Sequence, residues 1–190
     1  MYEIWLGLHI FGLVVSFVLL YTLVKKQDSD YKISLMLTVM CCVIVMAGRS
    51  LYIMASDFGE LVVTAKIEYL GKCFANYCGL IFILRFRKIR WKKWIENAML
   101  AVNVLAFAII FFCDRHSMYY TSMAMSHREY GLTLELGKAP FYYAYMTFIM
   151  VEMLLYLYYS VTGLLQKNQT ETQKKMHIML VCAGFAPFYC

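Results

Sequence analysis

Long apolar stretches separated by short polar ones set the pattern of this chain. Five of them, at 4–24, 33–55, 61–84, 95–113 and 141–165, are long enough to be membrane helices. A hydrocarbon core of about 30 Å needs about 20 helical residues to cross it. A sixth stretch begins at Met176 and is still apolar at Cys190, with Pro187 near its end. It is expected to be a helix cut short, or one continued in a longer protein. Between 114 and 140 the period changes. Leu132, Leu134 and Leu136 alternate with Thr133 and Glu135, and Tyr119, Thr121, Met123 and Met125 alternate more loosely upstream. With 126–129 polar and turn-like, this predicts a short β-hairpin. The expected fold is all-α: one polytopic membrane helical bundle over 1–190. It has five full helices, a truncated sixth and a short extracellular β-hairpin. Short links make successive helices antiparallel neighbours.

Composition agrees with the pattern. Apolar residues make up 62% of the 190 and charged residues 16%, and mean hydropathy is +0.61. A soluble domain carries roughly 45–50% apolar and about 25% charged residues. So much apolar surface cannot all be hidden inside one globule of this length. The N-terminus lacks a basic region and an A-x-A site and carries Glu3, so it reads as a spanning segment rather than a cleaved signal peptide. The seven cysteines lie almost entirely within apolar stretches without a CxxC spacing. They read as buried thiols rather than a disulfide framework.

The net charge of +6 does not point to nucleic acid, because the cations sit in short runs between apolar segments. Loop 25–32 carries Lys25, Lys26 and Lys32. Loop 85–94 carries Arg85, Arg87, Lys88, Arg90, Lys92 and Lys93. Loop 166–175 carries Lys167, Lys174 and Lys175. The opposite side has Arg115, Arg128 and Lys138. Twelve against three places the N-terminus outside and the basic loops in the cytoplasm. Trp91 and Trp94 fit an aromatic belt. The glycosylation pattern at Asn168 falls in a cytoplasmic loop and reads as a chance match.

Ionisable residues inside a membrane helix are expensive, roughly 2.5–3.5 kcal/mol each on insertion scales, and need partners. Here they are His9, Arg49, Lys66, Glu68, Lys72 and Glu152. At about 1.5 Å per residue, Arg49 and Glu68 lie at similar depths and are expected to pair. So are Lys72 and Glu152. Glu68 and Lys72 are also spaced i,i+4. Lys66 lies close enough to the outer surface to snorkel, and His9 reads as hydrogen-bonded filler. The four residues Arg49, Glu68, Lys72 and Glu152 are either a charged ligand pocket or ion path, or a set of structural pairs that fix helix register. In the outer loop, His116, Tyr119, Tyr120 and Tyr130 are candidates for lining a pocket beneath the hairpin, against the alternative of a packed lid. A metal at His116 and His127 is disfavoured, since no carboxylate or cysteine supports it nearby. There is no HExxH, no phosphate-cradling glycine loop, no GxSxG and no kinase or cyclase signature. The chain is expected to be non-catalytic and to need no cofactor.

The order of these features resembles the N-terminal seven-helix sensor region of bacterial histidine kinases, a module also found ahead of diguanylate cyclase domains. Residues 65–71 (Ala-Lys-Ile-Glu-Tyr-Leu-Gly) look like the family's third-helix A-x-x-E-Y-x-G pattern. Residues 112–120 resemble its helix-end TNPxHxLFY stretch, with Asp114-Arg115 in place of Asn-Pro. Tyr130-Gly131 and then 137–142 are similar to its approach to the fifth helix, and 173–187 to its sixth-helix start. The resemblance covers nearly the whole chain. It implies a ligand-sensing input module whose seventh helix leads to a cytoplasmic output domain. The expected partners are the lipid bilayer and a small ligand, with a homodimer as an open alternative and no nucleic acid. On the intramembrane charges alone, a small transporter or membrane scaffold remains the competing reading.

Overall fold

The structure is a computed structural model that describes residues 2–25, 31–128 and 131–166, with positions 174 and 178 besides. The described elements run α1 (Tyr2–Lys25), α2 (Lys32–Met54), α3 (Phe58–Phe86), α4 (Lys93–Phe111), β1 (Tyr120–Arg128), β2 (Gly131–Lys138) and α5 (Pro140–Leu164). The apolar stretches become helices because lipid offers backbone groups no partner, and a helix satisfies them within the segment. Four of them, α2 to α5, are long and apolar enough to cross a membrane, and α1, at 24 residues, has the length for it. The expected sixth helix, the cations of loop 166–175 apart from Lys174, and Asn168 lie outside the described residues.

Local chemistry sets the helix ends. At the start of α3, the Asp57 carboxylate accepts from Glu60 N at 2.9 Å, while Glu60 Oε2 accepts from Ser56 N and Ser56 Oγ, each at 2.8 Å. This is a variant of the reciprocal capping arrangement. Pro140 opens α5, where its fixed φ suits the first turn and its missing N–H costs nothing.

The helix α3 is central, touching α2, α4, α5 and β2, and α1 lies against α2. At one face of the bundle are the α2–α3 turn, the end of α4 and the hairpin. At the other are the basic α3–α4 connection and the end of α5. The two strands pair antiparallel from Tyr120↔Lys138 to Arg128↔Gly131, with an irregularity between Tyr120 and Ser122. Residues 126–128, expected in the turn, belong to β1 instead. The ladder continues to Arg128↔Gly131, so only two residues separate the strands, and a polar sequence here marks strand rather than turn.

Candidate functional site

The charged layer forms where α2 and α3 approach most closely. A Cβ on Gly48 would lie 2.6 Å from Glu68 N, and one on Gly71 would lie 2.6 Å from Cys41 O. These two glycines therefore permit backbone-to-backbone contact, as small residues do between membrane helices. The contact brings Arg49 to Glu68, with Nη1 3.8 Å from Oε2. On the same helix Lys72 Nζ stands 2.6 Å from Glu68 Oε1. Glu68 is buried, at 7% exposure, whereas the Arg49 and Lys72 side chains are about half exposed, at 46% and 49%. Glu68 thus holds two cations, one from each helix.

This layer reaches the hairpin by two routes. The Arg49 guanidinium lies over the Tyr52 ring, 5.2 Å from its centroid, and Tyr52 Oη accepts from Leu134 N on β2 at 2.8 Å. On the other side Lys72 Nζ lies 5.7 Å from the Tyr69 ring centroid, and the phenols of Tyr69 and Tyr120 share a 2.5 Å hydrogen bond. Tyr119 and Tyr120 are buried under the hairpin, and the Tyr119 ring makes edge contacts with Tyr120, Tyr142 and Tyr69. Burial pushes both phenols well above the usual tyrosine range. Between α3, α4 and the hairpin, a crevice of about 20 Å³ is lined by Lys66, Tyr69, Tyr120 and apolar side chains. That is room for about one water. Lys66 donates to Asp114 just beyond α4 at 2.7 Å.

The expected Lys72–Glu152 pair does not form. Lys72 is taken by Glu68, and the next residue, Cys73, is the one buried beside Tyr145 of α5. Glu152 is fully buried and accepts from Asn103 Nδ2 on α4 at 2.8 Å. Asn103 Oδ1 in turn accepts from Tyr145 Oη at 2.9 Å. The other carboxyl oxygen, Oε2, has no hydrogen-bond partner among the described residues. A buried polar network of Tyr145, Asn103 and Glu152 therefore joins α4 to α5. Asn103 had a sequence signal, as the one amide within a stretch otherwise apolar from 98 to 113, but its partner could not be read from spacing. His116 is not in the layer: its Nδ1 accepts from Met118 N at 3.3 Å. Tyr130 lies outside the described residues, as do the side chains of His9 and His127. Among the described residues, no group of three or more His, Cys, Asp or Glu side chains is placed to hold a metal.

Long apolar helices around a buried polar interior, capped at one face by a small sheet, define a membrane protein of the polytopic helical class. The family profile for the N-terminal 7TM region of histidine kinase matches residues 8–190, and the chain belongs to that family. That region is the membrane-embedded sensory part of such kinases rather than the catalytic one. No curated protein matches the chain in sequence.

Proposed function

We propose that the chain receives a ligand at its hairpin-capped face and passes the event through the Glu68 layer to an output domain of histidine kinase or diguanylate cyclase type. In this reading the bundle has five full spans and a sixth, the N-terminus and hairpin lie outside, and the basic loops lie in the cytoplasm. The observation that carries it is the double connection from hairpin to Glu68. Through Tyr52 and Arg49, and through Tyr120, Tyr69 and Lys72, any shift of the hairpin alters the contacts between α2 and α3. A scaffold needs no such connection.

The test measures output of the intact protein in membranes, as histidine autophosphorylation or cyclic dinucleotide formation. Tyr52→Phe, which removes the acceptor for Leu134 N, should change basal output several-fold while leaving expression and helix content unchanged. Unaltered output in both Tyr52→Phe and Arg49→Met, with the fold intact, would overturn the reading.

A further inference from the structure

Six cations fall between Arg85 and Lys93, and the structure divides them into two kinds. Arg85 Nη2 binds Glu96 Oε2 at 2.9 Å. Arg87 Nη1 reaches α5, donating to Tyr159 O at 2.9 Å and Thr162 Oγ1 at 2.7 Å. Lys88, Arg90, Lys92 and Lys93 are exposed, and their side chains have no ion pair with the described residues. Four like charges within six residues repel one another unless an external anion lies among them.

The segment that carries them is firmly held. Ile89 N donates to Leu84 O at 2.9 Å. Trp91 Nε1 donates to Tyr159 Oη at 3.2 Å, with the rings 5.9 Å apart. Ile89 and Trp91 pack on Leu80, Ile83 and Leu84. Lys88 itself has φ 56°, in the left-handed region that a lysine enters only where its surroundings require it. Beside this clamped turn, Trp94 is 66% exposed. Because α3 and α4 enter the membrane from its two ends, the turn sits at the headgroup layer, where an indole is at home. Setting helix orientation requires only the number of cations. A turn fastened to α5 by Arg87 and Trp91 does more, since it holds the free cations in one place.

We propose that the α3–α4 turn is a binding site for anionic phospholipid. Lys88, Arg90, Lys92 and Lys93 would take the headgroup phosphate and Trp94 the upper acyl chain. Because Tyr159 and Thr162 anchor the turn, lipid bound here also bears on the end of α5.

Bromolipid quenching tests this directly. Among the three tryptophans, Trp5→Phe leaves emission from Trp91 and Trp94 alone. In phosphatidylcholine vesicles, dibrominated phosphatidylglycerol should quench at a mole fraction at least about tenfold lower than dibrominated phosphatidylcholine, since each basic residue near the surface adds about fivefold to anionic-lipid partition and any two of the four already exceed tenfold. The triple variant Lys88→Gln, Lys92→Gln, Lys93→Gln should lose that preference while keeping its response to phosphatidylcholine, which also reports an intact fold. Salt at 0.5 M should weaken it. Equal quenching by the two lipids, or a preference that survives in the triple variant, would overturn the proposal. So would competition by soluble glycerol phosphate at equal concentration, because the site would then recognise free phosphate and not lipid.

Discussion

Glu68 holds Arg49 on the neighbouring helix and Lys72 one turn along its own, so a single substitution disturbs two cations. Glu68→Gln keeps the shape and removes the charge. Breaking a fully buried pair costs about 3–5 kcal/mol. Here both cations are about half exposed, and screening lowers the expected loss to about 1–3 kcal/mol. Thermal unfolding in detergent should show it, and Lys72→Met in the same background should restore part of it by removing one unpaired charge. A background change that lowers stability further would show that Lys72 is not held by Glu68. Glu152 behaves differently, because its contact is an amide rather than a cation. Asn103→Leu strips its Nδ2 donor and removes the amide oxygen that accepts from the Tyr145 hydroxyl. A loss of about 1–3 kcal/mol per unsatisfied group is expected. Tyr145→Phe in the Asn103→Leu background should then cost little more, and the double-mutant cycle in thermal unfolding measures that coupling.

Among the elements, the α2–α3 crossing is the most demanding contact. Gly48→Ala would place a methyl 2.6 Å from the Glu68 backbone, forcing the helices apart at about 1–3 kcal/mol. At Gly79 the nearest atom to a new Cβ is 3.6 Å away, on the Tyr156 ring, so Gly79→Ala should be tolerated. Similar melting points for the two variants would show that the crossing is not tight. The link from α3 to the end of α4 responds to pH. Asp114 lies beyond the span, and Lys66 holds its carboxyl below the usual carboxylate range. Its contribution is therefore complete above the ordinary value of about 4, and is lost as pH falls through the lowered folded value. Hydrogen exchange across 112–118, corrected for intrinsic rates, should be flat from about pH 5 to 8 and rise only below about 4. In Asp114→Asn the acid-side rise should vanish.

Across the whole molecule, single cysteines placed at Lys92 and at Ser126 should react with an impermeant maleimide from opposite sides of the membrane. Labelling of position 92 only from outside the cell would reverse the proposed orientation. The helices were legible in the sequence because lipid demands unbroken apolar length, and their described ends fall within a few residues of the expected ones. The hairpin was legible from Leu132, Leu134 and Leu136, though its polar tip concealed three more strand residues. The Arg49–Glu68–Lys72 contacts could be anticipated from depth and i,i+4 spacing, both measured along single helices. The Glu152 partner could not. In helices apolar on all sides, lipid-facing and core-facing positions look alike, so nothing along α3 says that Cys73, and not Lys72, turns to α5. Tyr52 was hidden for the same reason: a tyrosine near a helix end usually marks the interface.

The Tyr52–Leu134 hydrogen bond joins residues 82 positions apart, which gives biogenesis an order. At synthesis rates of about 5–20 residues per second, Tyr52 waits about 4–16 s for its partner. By then α1 to α4 have all left the ribosome, and the phenol has only headgroups and water to bind. The closure of this face is thus a late event in manufacture. A chain stalled or cleaved before residue 134 would enter the bilayer with α1 to α4 alone and its aromatic floor uncovered. Quality-control proteases that survey the membrane surface would meet that open face and not the finished one.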